Sequence, residues 1–251
     1  MRAKLGLEQS TGDPWYRGHP QMKWKLVPSL YRCEVEPEYE REILRDFKIA
    51  LSSDHSFLTS SEIDWLFIAQ HHGLPTRILD WTVNPLVALF FVVEDFENQD
   101  DGCVVALDPW TLNRASADWQ SVPTSDNELM SEYTLDLKTT KVQRTRKARQ
   151  PMAFRPRSPF KRSTAQGGVF TIHGSDRTPL ENLPLKGIEM QRVVIEGSSK
   201  YAIVRQLNEL AINKGALFGS PDAIATSIRF RYSKKQLAYL SSASSKSHPV
   251  R

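Results

Sequence analysis

Three things are scarce in this sequence, and each scarcity closes a door. There are 2 cysteines in 251 residues, too few for a disulfide framework or for a zinc site built on thiolates. Cys33 and Cys103 are therefore expected as reduced, partly buried thiols, which points to a cytoplasmic protein. No apolar run approaches the roughly 18–20 residues needed to cross a bilayer. The longest, residues 85–93, is expected inside the core as helix or strand, and no membrane partner is expected. The opening stretch MRAKLGLEQS has no apolar segment of the kind a secretory signal needs, so export is not expected either. Finally, acidic residues are missing altogether between Asp136 and Asp176.

That last gap matters because of what fills it. Lys138, Lys141, Arg144, Arg146, Lys147, Arg149, Arg155, Arg157, Lys161 and Arg162 all fall inside it, ten of the chain's 33 basic residues. The remainder has 23 basic against 29 acidic residues, so an acidic body carries one concentrated basic segment. Such a segment is a solvated loop or the footprint of a polyanion, whose condensed counterions are released on binding. Phe154 and Phe160 lie among the cations and can stack on unpaired bases, which favours RNA or single-stranded DNA over duplex. An acidic protein target would use the same charges.

Hydrophobic residues make up 40% of the chain and charged residues 25%, with 12 Gly and 15 Pro. A chain of roughly 250 residues buries about 70–75% of its unfolded surface, enough for a substantial core. Residues 1–13 read as a lead-in, 14–240 as one domain and 241–251, rich in Ser, as a flexible tail. Strands are expected at 15–17 (ending at Gly18), 103–107, 168–173 and 191–196 from their β-branched content. Tyr39, Ile43, Phe47 and Leu51 recur at four-residue spacing and predict a helix over 38–51. Ser61 with Asp64 predicts an N-cap for a second helix that stops near Gly73-Leu74-Pro75. Residues 108–133 read as short helices and loops, and Val204, Leu207 and Ala211 mark a helix over 201–213. Helices first, then strands with a further helix, make an α+β domain.

Three polar clusters could carry chemistry. Tyr16-Arg17-Gly18-His19 ends the first strand, where Gly18 permits close backbone approach and Arg17 offers a planar fork for phosphate or carboxylate. The alternative is a turn with a surface arginine. Residues 69–82, Ala-Gln-His-His-Gly-Leu-Pro-Thr-Arg-Ile-Leu-Asp-Trp-Thr, embed two His, an Arg, an Asp and two Thr between apolar stretches. Polar groups so placed are satisfied internally or serve a site. Arg77 and Asp80 can form a buried ion pair, while adjacent His71 and His72 point apart on a helix and make a poor metal pair, so no metal is expected. The third cluster, residues 162–170, reads as a loop with Gly167 and Gly168 entering a strand, whose amides can line a pocket. Templates for other chemistries, GxSxG, HExxH, GxGxxG and CxxC, are absent.

Taken together the clusters resemble the FRG domain, a bacterial family named for a Phe/Tyr-Arg-Gly motif, here Tyr16-Arg17-Gly18. The following Trp24-x-Leu26-x-Pro28-Ser29-Leu30-x-Arg32, the block 69–82 and Ala165-Gln166-Gly167-Gly168-Val169-Phe170 fit its pattern, with a looser Phe218–Asp222 element, so the resemblance runs over about residues 14–230. FRG domains look like distant relatives of NAD-dependent ADP-ribosyltransferases, some from toxin and phage-defence settings. The resemblance implies a split or strongly bent central sheet with helices packed around it. It further implies NAD as co-substrate, held by Tyr16, Arg17, Gly18, His19, Thr76, Arg77, Asp80, Thr82 and Gly167, with Arg17 on the phosphates. Arg17, His71, Gln166 and Glu189 are the candidate catalytic residues. Gln166 stands where an acid is usual and cannot act as a base, leaving Glu189 as the runner-up. The expected activity is transfer of ADP-ribose to nucleic acid or to an associated protein. Arg144, Arg146, Lys147, Arg149, Arg155, Arg157, Lys161 and Arg162 would grip the nucleic acid, and a toxin would need a neutralising antitoxin. The competing readings are a non-catalytic nucleotide or nucleic-acid sensor and a metal-free nuclease or nucleotide hydrolase using His71 as base. Convergence of Arg17, His71, Arg77, Asp80 and Gln166 on one pocket is the geometric expectation.

Overall fold

The computed structural model describes residues 13–52, 59, 61–138, 150–157 and 161–237. Strands β1 (Trp15–His19), β2 (Ile78–Thr82), β3 (Gly102–Leu107), β4 (Met152–Phe154), β5 (Gly168–Ile172) and β6 (Met190–Ile195) form a six-stranded sheet in the order β4-β5-β2-β1-β3-β6. Every pairing between them is antiparallel. Helices α1 (Glu40–Ala50), α2 (Glu62–His71), α3 (Pro85–Val93), α4 (Pro109–Ala117), α5 (Glu128–Lys138), α6 (Lys161–Gln166), α7 (Lys200–Glu209), α8 (Lys214–Phe218) and α9 (Pro221–Arg231) surround it. The architecture is α+β.

The sheet is joined unevenly at its centre. β1 matches β3 over five residue pairs and β2 matches β5 over five, yet β1 and β2 share one, Tyr16 with Thr82. Two well-paired halves, β4-β5-β2 and β1-β3-β6, therefore meet at a narrow seam. One face of the sheet is a continuous core holding Trp15, Leu79, Trp81, Val105 and Leu107 with Leu112 of α4. The other face divides at the seam. Over the first half, α1, α2 and α5 contribute Leu44, Phe67 and Met130 to a cluster with Ile78 and Phe170. Over the second, α3, α7 and α8 contribute Phe90, Val204 and Leu217 to a cluster with Tyr16 and Val104.

Local sequence explains the elements beside the seam. Asn84 accepts a hydrogen bond from the Leu86 N–H at 3.0 Å, and Pro85 takes the first helical position, so α3 starts where a proline costs no hydrogen bond. A methyl group at Gly18 would lie 2.0 Å from the Ala88 carbonyl oxygen. Glycine is there so that α3 can rest directly on β1. The Ser61 cap is as expected, its hydroxyl accepting from the Asp64 N–H at 3.3 Å.

Several expectations need correction. The inner face of α1 is Glu40, Leu44 and Phe47, whereas Tyr39 is 59% exposed, because Glu40 turns inward to meet Arg77. Residues 78–82 form a strand, and 161–166 form a helix where a loop was expected. Cys103 is buried but Cys33 is exposed. The lead-in apart from Asp13, the tail 241–251, and Arg144, Arg146, Lys147 and Arg149 lie outside the described residues.

Candidate functional site

Between the two divided clusters, over the seam, lies a cavity of about 440 Å³, within the range of ligand pockets. β1 contributes Tyr16, Arg17 and Gly18, and β2 contributes Asp80, Trp81 and Thr82. α2 adds Phe67, Gln70 and His71, and α3 adds Ala88 and Phe91 with Glu94 just beyond. Trp24, Gln166, Gly168 and Phe170 complete most of the remaining wall. Of the five residues expected to converge, Arg17, His71, Asp80 and Gln166 do.

Arg77 does not. It is 4% exposed and forms an ion pair with Glu40, 3% exposed, through both Nε (2.6 Å) and Nη2. The second Glu40 oxygen accepts the Arg77 backbone N–H at 3.1 Å, and Nη1 donates to the Tyr133 carbonyl at 2.9 Å. The expected Arg77–Asp80 pair is thus replaced by Arg77–Glu40. Arg77, just before β2, is taken up by Glu40 of α1 and the Tyr133 carbonyl of α5, while Asp80 in the middle of β2 lines the cavity. The Asp80 carboxylate makes no hydrogen bond or ion pair among the described residues.

Arg17 has a different environment. Its Nη1 donates to the Asp80 backbone carbonyl at 2.6 Å, and its Nε donates to His19 Nε2 at 3.1 Å. The guanidinium thus takes up a carbonyl of β2 at the seam, where the β1–β2 ladder makes a single registered pair. Burial pushes its basicity down, partly offset by the nearby Asp80 charge, though an arginine stays protonated in a protein. His19 and His173 both fall to about 3, first from burial and next from the Arg17 charge. Both imidazoles are therefore neutral, which leaves Nε2 of His19 able to accept the Arg17 bond. Behind them, Trp81 Nε1 donates to Thr171 Oγ1 at 3.2 Å, and Thr171 Oγ1 lies 3.1 Å from His173 Nε2.

The other predicted residues divide into wall and scaffold. Thr82 lines the cavity but is 4% exposed; its hydroxyl donates to the Gln166 carbonyl at 2.6 Å and accepts from the Asn84 N–H at 3.0 Å. Gln166 is itself tied, its Nε2 donating to the Leu217 carbonyl at 3.2 Å. Gly167, at φ +58°, makes the turn from α6 into β5, a conformation glycine adopts without strain. Thr76 is buried and bonds to Gln70 Oε1 and the Ser29 hydroxyl, so it is scaffold. His19, 2% exposed, supports Arg17 from below.

Glu189 is not brought to the site. It is exposed beyond the end of β6, where its backbone N–H donates to Thr111 Oγ1 at 3.1 Å and its carbonyl accepts from Asp108. The edge position of β6 keeps it off the seam. Among the expected nucleic-acid contacts, Arg155 stacks over the Trp15 ring at 5.6 Å and Arg157 pairs with Asp126 at 3.5 Å. Lys161 and Arg162 open α6, with their side chains outside the described ones.

Some wall residues escaped sequence reasoning. Phe67, Phe91 and Phe170 look like ordinary core residues in sequence, and only the divided sheet face leaves their edges open to the cavity. Glu94 follows an apolar helix with no motif; it pairs with Lys214 at 2.6 Å. No group of three or more His, Cys, Asp or Glu suited to a metal is found among the described residues.

Comparison with known proteins finds no match among curated proteins and none among solved structures. Protein families give one: residues 13–101 match the family model of the FRG domain. The matched span holds β1, β2 and α1–α3 with Arg17, His71 and Asp80, and ends before the stretch bearing Gln166. The Tyr16-Arg17-Gly18 motif and the block around Asp80 thus lie within the part of the chain that matches the FRG domain model.

Proposed function

We propose that the protein is an NAD-dependent ADP-ribosyltransferase acting on nucleic acid or an associated protein, in the manner of a bacterial toxin or phage-defence effector. The observation that carries this reading is the pairing across the seam: an arginine bonded to a carbonyl and an imidazole rather than to a carboxylate, beside an aspartate whose carboxylate makes no hydrogen bond or ion pair among the described residues. Arg17 keeps donors for a pyrophosphate, which a planar fork binds well. The aromatic edges of Phe67 and Phe170 suit the nicotinamide ring. Asp80 suits the ribose hydroxyls and the positive charge that develops on ribose as the nicotinamide bond loosens, since a carboxylate facing developing charge stabilises it. Asp80 therefore replaces Glu189 as the proposed catalytic acid.

One observation favours the second reading, a non-catalytic sensor. The Gln166 amide is spent on Leu217, so Asp80 stands without a second carboxylate free beside it. Incubation with NAD labelled in the ADP-ribose portion, together with total RNA, DNA or protein, separates the readings. Label transfer that survives in wild type and is lost in Asp80→Asn, with NAD binding retained, supports the transferase. Binding without nicotinamide release or label transfer supports the sensor.

A further inference from the structure

Residues 21–25, at the mouth of the cavity, make a turn that holds an aromatic ring in the open. The Trp24 N–H donates to the Gln21 carbonyl at 3.2 Å, and the indole Nε1–H donates to Gln21 Oε1 at 3.0 Å. The Met22 N–H is fixed to the Asp101 carbonyl at 2.9 Å. Just before the turn, the buried Lys200 ammonium donates to the Pro20 carbonyl at 3.0 Å and to that of Asn98 at 3.1 Å. The ring is thereby oriented, forms part of the cavity wall, and is still 42% exposed. Fixing a large apolar ring half in water forfeits the stabilisation that full burial gives.

The charges around it are uncompensated. Lys23 and Lys25 flank Trp24, both exposed, and the side chain of neither makes a hydrogen bond or ion pair among the described residues. Arg32, also exposed and in no ion pair among the described residues, is close enough to lower the basicity of Arg17 and His19. Glu94, also in the cavity wall, is by contrast paired with Lys214. An exposed aromatic ring with a lysine on each side of it in the chain, in the wall of a cavity that also holds Arg17, is the pattern by which proteins hold a base and its phosphate without reading sequence.

We propose that the 21–25 turn is a subsite for a nucleobase and its adjoining phosphate, with the base stacked on Trp24 and the phosphate held by Lys23 and Lys25. Two sources offer this chemistry, the nucleotide half of a dinucleotide and a single-stranded polynucleotide. The subsite extends the proposed catalytic site and rests on that reading only for what reacts further in; base and phosphate binding stand without it.

The test uses the full chain with two probes, NAD and a fluorescent twelve-nucleotide oligo(dA), against wild type, Trp24→Phe, Trp24→Ala and the double variant Lys23→Ala/Lys25→Ala. Trp24→Ala is expected to weaken at least one probe by about 5- to 150-fold, as loss of one base–aromatic stack does, and Trp24→Phe to keep most of the affinity. Trp24→Phe also guards against misfolding, because a ring is retained at the turn. A polynucleotide source shows as loss of oligo(dA) affinity, with a salt dependence that the lysine variant reduces by about 0.7 in log–log slope per phosphate. A dinucleotide source shows as loss of NAD affinity alone. The proposal is overturned if wild type binds neither probe, or if both bind Trp24→Ala as they bind wild type. Oligo(dA) binding that depends on Trp24 in a protein that never cleaves NAD removes the transferase and keeps the subsite. NAD cleavage with both affinities indifferent to Trp24 does the opposite.

Discussion

Two arginines, one within β1 and one just before β2, divide the sheet's chemistry between them. Around Arg77, under the α1–α2–α5 cluster, the guanidinium donates to the Glu40 carboxylate and the Tyr133 carbonyl, and the Arg77 backbone N–H donates to the second Glu40 oxygen. Around Arg17, at the seam, the partners are a carbonyl and a neutral imidazole. A charge matched by a buried carboxylate is architecture, because breaking the pair strands its partner in a dry environment. A charge matched by carbonyl and imidazole dipoles keeps its net positive field and can still receive an anion. The same residue type thus serves the fold in one place and faces a ligand cavity in the other.

The comparison breaks most visibly at Glu40. Glu40→Ala removes the carboxylate that meets the buried Arg77 guanidinium, and breaking a buried ion pair costs about 3–5 kcal/mol, which for a domain of this size lowers the melting temperature by roughly 6–20 °C. A calorimetric melt of Glu40→Ala within a degree or two of wild type would mean that Arg77 is not the anchor described. Arg17→Ala should do the reverse, leaving the melt nearly intact while removing a charge-assisted contact to phosphate. That loss, about 1.5–3 kcal/mol, weakens nucleotide binding about 10- to 150-fold, with partial rescue by Arg17→Lys, as titration calorimetry would read.

A smaller effect is expected at the tether between β2 and the α6–β5 turn. Thr82→Val removes a hydroxyl that both donates and accepts, and costs about 1–3 kcal/mol in thermal or denaturant unfolding. The smallest concerns pH. His19 and His173 titrate at about 3 in the folded protein against an ordinary 6.5. The unfolded chain therefore binds more protons between those values, and stability is full above about pH 6.5 and declines as pH falls toward 3. Arg17→Ala removes the second cause of both shifts while burial, the first, remains. It should raise both pKa values modestly and soften the acid decline, measurable by NMR titration of the imidazoles and by melts across pH.

Much of this was legible in sequence, for identifiable reasons. β1, β3, β5 and β6 are dense in β-branched or aromatic residues, and the Ser61 cap and Gly73-Leu74-Pro75 stop act through neighbours a few residues away. The convergence of Arg17, His71, Asp80 and Gln166 followed from reading three blocks as one site. What failed depended on distance. The Arg77 partner is Glu40, 37 residues away, whereas sequence offered Asp80 three residues on. Glu40 in turn rotated α1 by one position, exposing Tyr39. β2 was missed because Ile-Leu-Asp-Trp-Thr does not alternate cleanly: both its faces are covered by core except where Asp80 meets the cavity.

The strand order has a consequence for how the molecule comes together in time. β1 finds its long ladder with β3, and β2 with β5, the latter spanning residues some 90 positions apart. Each closure spends loop entropy before any pairing enthalpy returns, so folding on the order of milliseconds to seconds is expected rather than the microseconds of local topologies. The seam can form only when both halves exist, since its single registered pair is too little to nucleate either. The cavity is therefore among the last features assembled, and Arg17 meets the Asp80 carbonyl only once the rest of the chain has committed. Residues 13–101 alone would carry both seam strands without either of their long ladders, and would have no kinetic route to the site they help to build.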